Sequence, residues 1–156
     1  MSILNHIQLK VELDFIFCTK LQREGAIFQA AGRSPKDANV IVRSVDDVVP
    51  ARILSLFTDK RAANGQVQMH LVIERHMELA PEDIANDPYH QFGFVVAGGL
   101  FRNVFDALEI IPSGDLVTLF GKTPFFHDRI GKEVVHVLPI FKVSPSNPEH
   151  MYRPLN

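Results

Sequence analysis

The chain has 156 residues, 46% of them hydrophobic and 22% charged, with 16 Lys and Arg against 18 Asp and Glu for a formal net charge of −2. That size and composition exclude a disordered chain and predict a single globular domain over 1–143, burying roughly 70% of the surface its unfolded form exposes. The near balance of charge removes any whole-protein field for phosphate backbones and argues against nucleic acid as a partner.

The opening Leu4-Asn5-His6-Ile7-Gln8-Leu9 resembles the first strand of the vicinal-oxygen-chelate enzymes over six residues. No second module repeats it, so no family expectation is built on it. From Ile7 to Phe17 every odd position is apolar, while Gln8, Lys10, Glu12 and Asp14 fill even ones. A period of two is that of a strand with one core face and one wet face. Cys18 is the only cysteine, no basic-then-apolar leader precedes it, and no apolar run approaches the ~20 residues that cross a bilayer. A reducing, cytoplasmic setting without membrane insertion is the expectation, with Cys18 a bystander.

Ala26 to Ala31 fits either a short return strand or the end of a helix stopped by Gly32. Ser34-Pro35-Lys36-Asp37 has the chemistry of a helix start, a hydroxyl cap with proline next and a carboxylate third. Ala38, Ile41, Val45 and Val48 follow at helical spacing, which predicts a helix over Ser34–Val48 ended by Pro50. Arg52–Thr58 reads as a strand, Asp59–Gly65 as a turn through Asn64-Gly65, and Val67–Leu79 as an alternating strand paired with Arg52–Thr58.

Pro81, Asp83, Asp87 and Pro88 then lead into a predicted long helix over Tyr89–Glu109. Its polar residues Arg102, Asp106 and Glu109 form one stripe among Phe92, Val96, Leu100, Phe101, Val104, Phe105 and Leu108. Such a helix is buried on more than one side. Pro112–Asp115 is a turn, and Leu116–Phe120 and Glu133–Val143 are two further strands, with Pro139 assigned to an edge or a bulge. Ser144–Asn156 is proline-rich and expected to be an extended or disordered tail.

These elements predict an α+β fold, a mainly antiparallel sheet of about five strands with the 89–109 helix packed on one face. A helix at Ser34–Val48 makes the order ferredoxin-like. A strand at Ala26–Ala31 without that helix makes it OB-like.

No phosphate-binding loop, dinucleotide fingerprint, His-Glu-x-x-His, Cys-x-x-Cys or Gly-x-Ser-x-Gly occurs. His70, Glu74 and His76 share the polar face of the second long strand and could move protons or hold a divalent metal. His70 and Glu74 lie about 13 Å apart at strand rise, too far to share one ion unaided. Phe126, His127 and Arg129, with Phe125 and Asp128, could recognise an anionic or planar ligand from a loop. Their plainer role is to anchor that loop by its rings. Asp83, Asp87 and His90 supply oxygen and nitrogen ligands at a helix start, where acids are also stabilising without an ion. Asp46-Asp47 reads as a solvated turn.

The leading expectation is therefore a non-catalytic binding or assembly protein acting through protein–protein contact, with no cofactor and no metal. Its partner is a second copy of itself or another protein, reached through the long helix at Val95, Gly98, Gly99 and Arg102, where the glycines admit a second backbone. One alternative is a hydrolase-like enzyme using His127 with Asp128, or Glu74 with His76, as its acid–base pair. Another is an OB-like binder of single-stranded nucleic acid.

Overall fold

The structure, a computed structural model, describes residues 15–59 and 65–141. It is almost entirely antiparallel sheet. The strands are β1 (Phe15–Cys18), β2 (Lys20–Arg23), β3 (Ala26–Gln29), β4 (Asn39–Arg43), β5 (Val48–Asp59), β6 (Gln68–His76), β7 (Gly99–Arg102), β8 (Phe105–Pro112), β9 (Leu116–His127) and β10 (Lys132–Ile140). The main sheet runs β7-β10-β9-β4-β5-β6-β8, with β1 also on β5, and β2–β3 form a separate hairpin.

The α+β expectation is wrong, and so are both of its orders. The predicted 89–109 helix is instead one α-helical turn, α1 (Phe94–Ala97), followed by β7 and β8. Gly98 ends the turn with φ 69°, a conformation L side chains rarely adopt. Beyond it, the apolar residues that looked like the circumference of a helix line both faces of two strands. Val134–Val137 of β10 pair with β7, and β6 pairs with β8. In β7 Leu100 and Phe101 pack in different clusters on opposite faces, while β8 leaves apolar Leu108 and Ile110 exposed, so neither strand alternates and the apolar run misleads.

The 34–48 helix fails for a related reason. Its start chemistry is real, since the Ser34 hydroxyl donates to Asp37 Oδ2 at 2.7 Å. It supports only a 3₁₀ turn at Lys36–Ala38. The β-branched Val40, Ile41 and Val42 then run as a strand buried on both faces, with Val40 and Val42 in one cluster and Ile41 in another.

Pro50 lies within β5 rather than ending an element. It pairs with Ile41 in the stretch of β5 that β6 does not reach, so its missing N–H breaks no second ladder. The pairing of β5 with β6 is found as expected, although the turn residues 60–64 lie outside the described residues. So do residues 7–14 of the first alternating strand, whose end is seen as β1, and the tail 144–156. Pro139 sits on β10 beyond Val137, where β7 stops, hence on an edge.

The sheet curls until its two end strands meet. β7 and β8 are separated only by Asn103-Val104, where Arg102 N–H donates to Met77 O at 2.9 Å and Met77 N–H to Val104 O at 3.0 Å. One stretch of chain thus borders β10 with its first half and β6 with its second.

Outside the curl, Phe28 of the β2–β3 hairpin caps Val40, Val42, Ala51, Ile53, Leu56, Leu71 and Ile73. The 79–92 loop covers the opposite flank, with Leu79 and Tyr89 packed on Leu100, Ile130 and Val134. Inside the curl, Ile41, Phe120, Val135 and Val137 pack with Phe94 and Phe101.

Candidate functional site

The inner face continues from that apolar floor to a mouth whose side chains are charged. Register places them. Arg52 of β5 pairs with Glu74 of β6, which pairs with Leu108 of β8, and a bulge after Glu74 brings His76 opposite Phe105. Alternation along these strands puts polar residues there, and the cross-strand pair lets opposite charges meet. Arg52 Nε donates to Glu74 Oε1 at 2.8 Å and Nη2 reaches the same oxygen.

Phe105 organises the cluster. The Arg52 guanidinium lies over its ring at 4.1 Å, the Lys122 ammonium from β9 stands 5.6 Å from the ring centre, and the His76 ring is 4.4 Å away. Cations over a ring face are attracted by its quadrupole. His76 is 4% exposed and also meets Phe120 edge-on at 6.0 Å. Its Nδ1–H donates to Arg102 O at 3.3 Å, and Nε2 is buried with no hydrogen-bond partner.

Burial lowers the His76 pKa from 6.5 to about 4; the Arg102 carbonyl opposes this, Lys122 and Arg52 add to it, and Glu74 partly offsets them. The imidazole is neutral at pH 7. Burial also pushes the Lys122 ammonium below its ordinary pKa, helped by Arg52 and opposed by Glu133.

No family model, curated protein or solved structure matches the chain.

Of the residues singled out from sequence, Glu74 and His76 do come together in this cluster. His70 lies further along β6, stacked on Phe57 at 5.5 Å. His127 and Asp128 are remote from them, at the β9–β10 turn. There His127 Nδ1 accepts from Ile130 N–H at 3.3 Å, which fixes the turn, while Phe126, Asp128 and Arg129 are exposed. Asp87 is occupied structurally, its two oxygens accepting from Tyr89 N–H at 2.9 Å and Leu100 N–H at 3.0 Å, and Asp83 faces Lys132 at 3.7 Å. Among the described residues no group of three or more His, Cys, Asp or Glu is placed to hold a metal.

The interface expectation loses its premise with the helix. Val95 is exposed on α1, but Gly98 and Gly99 are buried. A Cβ on Gly98 would stand 1.8 Å from Val137 O, so the backbone it admits belongs to β10 of its own chain.

Arg52, Phe105 and Lys122 carried no signal in the sequence. They belong to three strands and converge only through the curl.

Proposed function

We propose that the protein is a non-catalytic binding and assembly protein whose partner adds as a strand to the outer edge of β8, the simplest partner being a second copy. One observation carries this reading. β8 pairs with β6 on one side, while among the described residues no backbone group bonds to its other side. Leu108 and Ile110 on that strand are 65% and 63% exposed. An unpaired edge with exposed apolar side chains is a template for another strand, and β8 has no lysine to repel one. Two β8 strands antiparallel about a twofold axis present the same residues to each other, which makes the contact self-complementary.

The acid–base alternative has Glu74 and His76 in one cluster. Against it, Glu74 is held by Arg52 and His76 is closed off from solvent. A turnover abolished by His76→Ala would overturn the non-catalytic reading.

Light scattering at tens of micromolar, on the order of where weak dimers assemble, tests the pairing. The expected result is a dimer that becomes monomeric in Leu108→Lys with an unchanged circular dichroism spectrum. A monomeric native protein would refute it.

A further inference from the structure

We propose that the mouth of the curled sheet binds an organic carboxylate carrying an apolar group, seated between Lys122 and Arg52. This goes beyond the strand-pairing reading and does not depend on it. The two cations come from β9 and β5, strands that β4 separates, yet both are held over the Phe105 ring. Like charges brought together on a partly desolvated surface repel, and an anion between them removes that cost.

The charges around the mouth do not fully cancel. Glu74 engages Arg52 directly. Glu133 acts on Lys122 through its field, and among the described residues Lys122 forms no ion pair. His76 beneath them adds no charge, being neutral at pH 7. Among the described residues, Lys122 therefore has the Phe105 ring but no ion-pair partner.

Arg52 spends Nε and Nη2 on Glu74, so its Nη1 hydrogens remain free to donate. A carboxylate accepting from Lys122 Nζ and Arg52 Nη1 receives two charge-assisted hydrogen bonds. Its apolar part then meets Leu108, the cross-strand neighbour of Glu74, and the edge of Phe105. A free acid and a glutamate side chain of a polypeptide both have this chemistry.

The test is an NMR titration of the full chain at constant ionic strength, following the Phe105 ring and Lys122 methylene signals. The probes are sodium benzoate, N-acetylglutamate N-methylamide, sodium phosphate and sodium chloride. Saturable shifts with a carboxylate are expected, and Lys122→Gln should weaken them by about tenfold or more, the factor for losing one charge-assisted contact. Lys122→Arg should keep binding, and Lys132→Gln, on the outer flank, should leave it unchanged.

Tighter binding of benzoate identifies the ligand as a free acid. Tighter binding of the glutamate derivative identifies it as a polypeptide side chain. Shifts that stay linear for every salt, phosphate saturating below both carboxylates, or Lys122→Gln binding like the native protein would each overturn the site. A monomeric protein that still saturates with benzoate would end the strand-pairing reading and leave this site standing.

Discussion

Two single residues show how strongly position governs cost. His76 is neutral in the folded chain because burial holds its pKa at about 4 against 6.5. Above pH 6.5 both folded and unfolded forms are neutral and the group is indifferent. As pH falls from 6.5 towards 4 the unfolded chain takes up a proton that the folded chain refuses, so stability is lost across that window, by roughly 3 kcal/mol in all. Urea melts at intervals between pH 7 and 4 should show this fall, and His76→Phe, which keeps a ring between Phe105 and Phe120, should flatten it. An equal fall in both would assign the pH dependence to other groups. At Gly98 the cost is steric. A methyl group there meets Val137 O at a backbone φ of 69°, whereas at Gly93, with φ 80°, it meets open space. Gly93→Ala should cost about 1–3 kcal/mol from conformation alone, and Gly98→Ala at least about 2 kcal/mol more than Gly93→Ala because strands β7 and β10 must also part. Chemical denaturation of the two variants measures the difference, and similar costs would mean that the β10 backbone yields easily.

Among the elements, the β2–β3 hairpin is the most separable. It is a sheet of its own, yet Phe28 is 2% exposed over the outer face of the main sheet, and Arg23 reaches back to Ser113 O at 2.9 Å and to Leu116 O. Phe28→Ala should therefore cost about 3–5 kcal/mol, the range for emptying a buried aromatic site. Ile27→Ala, on the exposed side of the same strand, should stay within about 0.5 kcal/mol. Comparable losses from the two would show that the hairpin does not act as a lid. The same elements explain what could be read in advance. Gln68–His76 was legible because one of its faces is core and the other carries His70 and Glu74, so alternation survives in the sequence. Asn39–Arg43 and Gly99–Arg102 were not, because both of their faces are packed and that erases the period that separates strand from helix, and Phe105–Pro112 was not, because its apolar Leu108 and Ile110 are exposed and its pattern follows no core face. The site was legible only in part for a different reason. Glu74 and His76 are two residues apart on one strand, while Arg52, Phe105 and Lys122 join them through the curl, and no local spacing encodes that.

At the scale of the whole molecule, the bend at Asn103-Val104 decides which edges are left over. By passing from β10 to β6 it occupies one edge of each, and among the described residues it leaves the outer side of β8 unpaired beside exposed Leu108 and Ile110. If two copies share that edge, folding and association are linked, because only the folded chain presents β8. Mass action then makes stability depend on concentration, by about 1.4 kcal/mol per dimer for each tenfold change. For a domain of this size that is a rise in Tm of a few degrees per tenfold. Scanning calorimetry from about 5 to 500 micromolar, spanning the range where weak dimers form, should show that rise in the native protein. Leu108→Lys should abolish it by placing an ammonium group on the shared edge of each copy. Non-specific aggregation would lower the transition with concentration and make it irreversible, so a reversible upward shift is the signature of a paired edge. A Tm independent of concentration in the native protein would mean that β8 stays single-sided in solution, and the assembly role would then have to rest on some surface other than this strand.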